Sequence, residues 1–235
     1  MQNAESTVAV IMPGTGSDAA FVREAFTAPL ARVGVTLIAP EPDPHRVVAS
    51  YLDALDAAAE QHGQIVLGGV SLGAAVAVNW ARTRPEATIA VLAALPPWTG
   101  AAEQAPAALS ARYTADALRT DGLAEVTARM QASSPPWLAR TLTRSWATHG
   151  DGLADALEEA AAYIAPTTSE LRDVTAPVAI AAAGDDAVHP AAVAEEWATA
   201  LPRVHVQTLS LSDLATHPSA LGHACVDAWV AVGSA

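Results

Sequence analysis

The chain has 235 residues, 51% of them hydrophobic and 16% charged. The length is enough for one well-buried α/β domain, and the composition excludes a disordered chain. The formal net charge is −13, and all twelve basic residues are arginine. Without a basic patch, the composition excludes nucleic acid and anionic membrane surfaces as expected partners.

The first 96 residues alternate short apolar runs with helical patterns. Val8 to Met12 is an apolar run ended by the turn Pro13-Gly14-Thr15-Gly16, as in a buried parallel strand. The further strands are predicted at 35–38, 65–67 and 88–95, and the helices at 19–32, 46–62 and 72–84. This alternation predicts a mostly parallel sheet with helices on both faces.

The alternation stops at Pro96-Pro97 and resumes at Pro177. Residues 97–172 contain no good strand and read as helical segments broken by proline and glycine. Beyond them, strands are predicted at 178–183 and 204–211, and helices at 190–201 and 219–232. The prediction is an α/β core of residues 1–96 and 173–235, with a helical cap inserted at residues 97–172.

The N-terminus is polar and lacks the pattern of a secretory signal, and no apolar run is long enough to span a bilayer. A single cysteine, Cys225, cannot form an internal disulfide, and it is expected to be a core residue of the last helix. A soluble, cytoplasmic protein is the expectation. The oligomeric state is not predicted.

Ser71 stands in Gly69-Val70-Ser71-Leu72-Gly73, between a predicted strand and a predicted helix. A serine at such a turn adopts a strained backbone that projects its hydroxyl above the carboxyl ends of the strands. The flanking glycines remove side chains that would collide. The context predicts a nucleophile elbow in preference to an ordinary glycine-rich turn with a capping serine.

A serine hydroxyl needs a base to remove its proton and an acid to orient that base. On this architecture the chain order is serine, acid, histidine. The loop Gly184-Asp185-Asp186 directly follows the strand 178–183. Asp186 is the predicted acid and Asp185 the second choice, with a turn-forming or capping carboxylate as the alternative role.

The histidine is predicted from loop position. His217 follows the last strand, from where its side chain can reach back over the sheet, so it is the first choice. His223, near the start of the final helix, is the second choice. The remaining alternative is that neither of the two histidines is the base. His189 is judged too close in sequence to Asp186 to be its partner, although it would line the same rim.

An acyl-transfer site also needs hydrogen-bond donors for an oxyanion. The backbone amides of Leu72 and Thr15 are the predicted pair. Three tryptophans of residues 97–172, namely Trp98, Trp137 and Trp146, are predicted to form an apolar lid over the substrate or, alternatively, simply to pack that segment onto the core.

The element order, the Gly69–Gly73 string, Asp186 and His217 together resemble the α/β-hydrolase superfamily, over residues 7–232. The resemblance implies that the core is an α/β-hydrolase fold and that residues 97–172 correspond to the family's cap. Two features depart from the family pattern. Pro13-Gly14 stands where His-Gly is frequent, and the two antiparallel strands that often open the fold are not among the predicted elements.

The leading hypothesis is a serine hydrolase that cleaves a carboxylic ester or thioester through an acyl-enzyme on Ser71, with a small hydrophobic or acyl substrate. No cofactor is expected and no metal, since no histidine and cysteine spacing fits a zinc site. The alternatives are a non-catalytic ligand-binding or interaction protein on the same fold, and an enzyme that uses the same triad for C–C bond hydrolysis or for peroxidation without a cofactor.

Overall fold

The computed structural model describes residues 7–234, and a six-stranded parallel sheet runs through it. Its strands are rich in valine, isoleucine, leucine and alanine, and the four central ones are almost wholly buried, as expected for a sheet covered on both faces. The strands are β1 (Val8–Met12), β2 (Thr36–Ile38), β3 (Ile65–Val70), β4 (Thr88–Ala94), β5 (Val178–Ala183) and β6 (Val204–Leu209).

Helices connect the strands, and several of them begin at a residue whose side chain accepts a hydrogen bond from the first turn. Asp18, for example, accepts a hydrogen bond from the Phe21 amide at the start of the first helix. The helices are α1 (Ala19–Arg32), α2 (Val47–His62), α3 (Leu72–Thr83), α4 (Pro106–Asp121), α5 (Leu123–Ser133), α6 (Pro136–His149), α7 (Leu153–Ala162), α8 (Thr168–Leu171), α9 (Ala191–Ala200), α10 (Leu211–Thr216) and α11 (Ser219–Gly233).

The strand order is β2-β1-β3-β4-β5-β6. The chain therefore moves outward from β1 to β2 and then returns to the other side of β1 to form β3. This reversal is a topological switch point, the place where open α/β sheets bind ligands beyond the carboxyl ends of their strands. The register pairs Met12 with Gly69, so the turn after β1 and the turn after β3 lie side by side.

Two buried layers cover the sheet. Side chains of α2, α3 and α9 form one layer, which includes Tyr51 and Trp197, both fully buried. Side chains of α1 and α11 form the other, which includes Phe26 and Leu221, both fully buried. Because the strands are parallel, the loops after β1, β3 and β5 project from the same edge of the sheet.

Residues 97–172 (called the helical insertion below) contain helices α4 to α8 and lie between β4 and β5 in the chain. Helix α4 packs on α7 and α5 packs on α6. Trp146, Leu153 and Leu157 belong to a small apolar cluster of their own. The insertion thus has some internal packing in addition to its contacts with the core.

The predicted fold class is confirmed, and most of the predicted strands and helices agree with the structure to within a few residues. The helix predicted at 19–32 and the strand predicted at 178–183 match α1 and β5. The main difference lies after β6, where residues predicted as the end of a strand and a loop form α10. All strands within residues 7–234 pair in parallel. None of the helices described there combines the length and hydrophobicity that crossing a bilayer requires.

Candidate active site

Ser71 occupies a strained turn between β3 and α3. Its φ is 53° and its ψ is −116°. Residues other than glycine seldom adopt a backbone conformation with positive φ. A Cβ at Gly69 would lie 2.5 Å from the carbonyl carbon of Gly73, and one at Gly73 would lie 2.8 Å from the Met12 carbonyl oxygen. The two glycines are therefore required by close packing, and the string forms the elbow that the sequence predicts.

The Ser71 hydroxyl lies beside an imidazole. Its Oγ is 3.0 Å from Nε2 of His189, and Nδ1 of the same ring is 2.9 Å from Oδ2 of Asp186. An ionised carboxylate only accepts hydrogen bonds, so Nδ1 carries the proton and Nε2 is free to accept from Ser71. Serine, histidine and aspartate thus form a continuous relay of the kind that activates a serine nucleophile.

Asp186 is held in place by its own loop. Its Oδ1 accepts hydrogen bonds from the backbone amides of Val188 at 2.8 Å and His189 at 3.2 Å, and these bonds fold the loop back on itself. Burial alone would raise the pKa of Asp186. The hydrogen bond and charge of His189, together with the two amides, outweigh burial and hold that pKa below its usual range. The acid is therefore ionised when it faces the imidazole.

The structure corrects the choice of histidine. His217 was the first choice and His223 the second, but the ring beside Ser71 belongs to His189. Residues 211–216 form helix α10, which a capping box at Ser210 starts, and His217 caps its far end with an exposed side chain. The segment is therefore not a free loop that can return over the sheet. His223 is part of α11, and neither histidine lines the cavity at Ser71.

The judgement that His189 is too close to Asp186 also proved wrong on this geometry. The tight turn at Asp186 places side chains three residues apart on the same side of the loop. Pro190 then caps the start of α9 and ends the loop directly after the histidine. The signal in the sequence was the string Asp186-Ala-Val-His189-Pro190, in which an aspartate turn precedes a helix start.

Asp185, the second choice for the acid, has a different contact. Its Oδ1 accepts the backbone amide of Leu211 at 2.8 Å. This bond ties the loop after β5 to the first turn of α10. The carboxylate that contacts the imidazole is that of Asp186, which agrees with the first choice.

The predicted oxyanion donors lie on the two turns that meet at the switch point. Leu72 is the first residue of α3, and Thr15 lies in the turn after β1. Neither backbone amide donates to an acceptor within residues 7–234. The positive end of the α3 dipole points at the same place. Both amides are therefore free to bind a developing negative charge.

A cavity of about 870 Å³ opens above Ser71 and His189. Its floor is formed by the loops of the core and its walls by helices of the helical insertion. Trp98, Trp137 and Trp146 all line it. The stripe of Leu138, Leu142 and Trp146 on α6 faces the same space. The cavity is thus mainly apolar, with a small polar floor at the relay.

The remaining candidates for chemistry are the single cysteine and any cluster of metal-ligating side chains. Cys225 is fully buried in α11, and burial raises the pKa of its thiol, so it is a core residue as predicted. Within the part of the chain that the structure describes, no group of three or more histidine, cysteine, aspartate or glutamate side chains is arranged to hold a metal ion.

A parallel sheet with a strained serine elbow, and a serine, histidine and aspartate aligned above the ends of its strands, defines the α/β-hydrolase class. A profile of the Alpha/beta hydrolase family matches residues 2–228, nearly the whole chain. The chain belongs to this family. No curated protein matches it in sequence.

Solved structures with the same fold have low sequence identity to this chain. A carboxylesterase of the thaumarchaeon Nitrososphaera gargenis is 16% identical, with a TM-score of 0.72 over 89% of this chain and 84% of its own. An enol-lactonase from Burkholderia xenovorans is 14% identical, with a TM-score of 0.71 over 100% and 94%. A thermophilic esterase from Thermogutta terrifontis is 18% identical, with a TM-score of 0.63 over 87% and 81%. At these identities the likeness shows the fold alone.

Proposed function

We propose that this protein is a serine hydrolase that cleaves a carboxylic ester or thioester through an acyl-enzyme on Ser71. The observation that carries the proposal is the relay in which Nε2 of His189 lies 3.0 Å from the Ser71 hydroxyl while Asp186 holds the other ring nitrogen. Membership of the Alpha/beta hydrolase family supports a hydrolase.

In the acylation step, Oγ of Ser71 attacks the substrate carbonyl carbon while Nε2 of His189 takes the hydroxyl proton. The carbonyl oxygen becomes an oxyanion that the amides of Leu72 and Thr15 stabilise. His189, now charged, is stabilised by the ionised Asp186. The tetrahedral intermediate collapses when the C–O or C–S bond breaks and His189 returns its proton to the leaving alcohol or thiol.

In the deacylation step, water replaces the alcohol or thiol. His189 takes a proton from that water as its oxygen attacks the acyl carbon. The second tetrahedral intermediate breaks the bond to Oγ of Ser71, which regains its proton from His189. A carboxylic acid leaves, and the relay returns to its starting state.

The cavity walls favour an apolar substrate. Trp98, Trp137 and Trp146 present ring surface to a space of about 870 Å³ above the relay. Burial of each substrate methylene there contributes about 0.8 kcal/mol to binding. A small hydrophobic or acyl substrate, with its carbonyl at Ser71 and its chain against the tryptophans, is therefore the proposed ligand.

The non-catalytic alternative depends on a Ser71 without a base within hydrogen-bond reach. Because His189 contacts Ser71, the geometry supports catalysis in preference to simple binding. C–C bond hydrolysis with the same triad, in which the leaving group takes its proton on carbon, is an outcome of the test below.

The test combines a labelled nucleophile with a substrate panel. A fluorophosphonate probe is expected to modify Ser71, located by mass spectrometry, and Ser71→Ala is expected to abolish both labelling and hydrolysis of p-nitrophenyl esters. Unchanged turnover in Ser71→Ala would remove the assignment. The C–C hydrolase would be favoured if Ser71 is labelled and the protein cleaves a vinylogous 1,5-diketone but no ester in the panel. The binding protein would be favoured if no residue is labelled.

A further inference from the structure

The turn that carries Thr15 is held by hydroxyl groups at both of its ends. On the core side, the Tyr51 hydroxyl of α2 donates to the Pro13 carbonyl at 2.9 Å. On the other side, the Ser145 hydroxyl of α6 donates to the Gly16 carbonyl at 2.7 Å. Between them, the Ser17 amide donates to the Gly14 carbonyl at 2.9 Å and closes the turn. These three hydrogen bonds together form a turn clamp.

Both hydroxyl donors of the turn clamp are buried. Tyr51 and Ser145 have no exposed surface, so water cannot replace either bond. A buried carbonyl that loses its donor costs about 1–3 kcal/mol, which makes both hydrogen bonds hard to give up. Burial also raises the pKa of Tyr51, with the charge of Glu159 adding to the effect, so the phenol keeps its donor proton.

Residues on either side of Ser145 reach the same turn. Arg144 forms a two-point ion pair with Asp18, with Nε–Oδ2 at 2.8 Å and Nη2–Oδ1 at 2.9 Å, and Asp18 caps α1 directly after the turn. A Cβ at Gly16 would lie 3.2 Å from Nε1 of Trp146. Three consecutive residues of α6 therefore fix the far end of the oxyanion turn.

The neighbouring helix of the insertion is anchored to the core at a separate place. The Glu159 carboxylate of α7 accepts hydrogen bonds from the backbone amides of Val47 at 2.6 Å and Val48 at 3.1 Å, at the start of α2. A carboxylate at a helix N-terminus is stabilised by the unpaired amides and by the dipole. Because α2 also carries Tyr51, this contact ties the core-side donor of the turn clamp to the helical insertion.

We propose that Ser145 is a positioning residue for the oxyanion hole, so that the helical insertion sets the place of the Thr15 amide in addition to lining the cavity. The inference rests on the proposed function. The Thr15 hydroxyl forms no hydrogen bond within residues 7–234, so the Tyr51 and Ser145 bonds to the neighbouring carbonyls of Pro13 and Gly16 are what hold the turn that carries its amide. A small displacement of a donor lowers catalysis strongly while it leaves ground-state binding almost unchanged.

The kinetic test compares Ser145→Ala with Thr148→Ala. Thr148 is an exposed residue of the same helix whose hydroxyl bonds only to the Arg144 carbonyl of that helix. For p-nitrophenyl butyrate, Ser145→Ala is expected to lower kcat about tenfold, less than the loss of a whole oxyanion donor, with KM within about twofold. Phenylboronic acid, whose adduct with Ser71 places an oxygen in the hole, is expected to bind more weakly by the same factor. Values equal to those of Thr148→Ala would overturn the proposal.

Tyr51→Phe tests the opposite end of the turn clamp and covers the case in which Ser145→Ala does not fold. It is expected to show the same pattern, lower kcat and weaker phenylboronate binding at unchanged KM. Wild-type kcat and boronate affinity in folded Tyr51→Phe would count against positioning by the hydroxyl groups.

Hydrogen exchange separates failure of the inference from failure of the proposed function. The peptide that contains Ser17 is expected to exchange faster in Ser145→Ala than in Thr148→Ala, because the amide of Ser17 is protected by the closed turn. Equal exchange would overturn the turn clamp even in an active enzyme. If the wild type neither hydrolyses esters nor reacts with fluorophosphonate, the proposed function fails, and the exchange rates still decide whether Ser145 holds the turn.

Discussion

His189 follows Asp186 by three residues in one loop, and its Nδ1 lies 2.9 Å from the Asp186 carboxylate. The proposed base and its orienting acid are therefore carried by the same connection, between β5 and α9. Only Ser71, which the other ring nitrogen contacts, comes from a separate part of the chain. The relative position of base and acid depends on one short loop, which the two amide bonds to Asp186 stiffen.

The first prediction separates the two histidines. His189→Ala is expected to lower kcat for a p-nitrophenyl ester by about 10⁴-fold, because Ser71 loses its general base. His217→Ala is the matched control, since His217 is an exposed cap of α10 away from the cavity. Its kcat is expected to stay within about twofold of the wild type. The reverse pattern would restore His217 as the base and reject His189.

The second prediction concerns the acid. Asp186→Asn is expected to lower kcat by about 10³-fold, since a neutral amide can favour the wrong imidazole tautomer and no longer stabilises the charged ring. Asp185→Asn keeps an oxygen that can accept the Leu211 amide, so a loss of less than about tenfold is expected. Steady-state kinetics on both variants checks this. Equal losses would show that the order of the two aspartates is wrong.

The sequence was sufficient for the parts of the fold that depend on local pattern. Uninterrupted apolar runs gave the parallel strands, and the glycines at 69 and 73 gave the elbow because packing excludes any side chain there. The proposed acid, Asp186, followed from its position after β5. The chain order of serine, acid and histidine also agrees with the geometry, although the spacing of the last two does not match the expectation.

The contact of His189 with Ser71 was missed because it depends on structure that a sequence pattern does not reveal. The amide bonds to Asp186 curl its loop tightly enough to return His189 to the same carboxylate. Helix α10, only six residues long, turns His217 outward. The hydrogen bond from Ser145 to the turn after β1 joins residues 129 positions apart. Such long-range contacts leave no periodic signal, so the sequence did not predict them.

The third prediction concerns stability and pH at Asp18. Burial tends to raise the pKa of this carboxyl, but the Arg144 hydrogen bond and the Phe21 amide outweigh it and lower the pKa. A folded-state pKa below the unfolded one gives stability that is present above the unfolded value and lost as pH falls through the folded value. Asp18→Asn, which can still cap α1, is expected to lower the free energy of unfolding by about 1–2 kcal/mol at neutral pH.

Urea unfolding from neutral pH down to about pH 3 checks the third prediction, since the difference between wild type and Asp18→Asn should shrink below about pH 4 as the carboxyl is protonated. Asp227→Asn is the control. Asp227 pairs with Arg32, but both side chains are about half exposed, so a change below about 1 kcal/mol is expected. A difference at Asp18 that grows as the pH falls would contradict the sign of its pKa change.

The fourth prediction tests whether the cavity holds the acyl chain. Ala111 of α4 lines the cavity, whereas Ala128 of α5 is exposed and does not. Ala111→Trp should fill space that a long chain needs and leave the relay at Ser71 untouched. If it displaces two or three methylenes, the ratio of kcat/KM for p-nitrophenyl octanoate to that for the acetate should fall by about 30-fold. Ala128→Trp, which adds the same ring outside the cavity, should leave the ratio within about twofold, with thermal unfolding confirming that both variants fold. An unchanged ratio in Ala111→Trp would mean that the chain binds elsewhere, and equal losses on both esters would point to a disturbed active site.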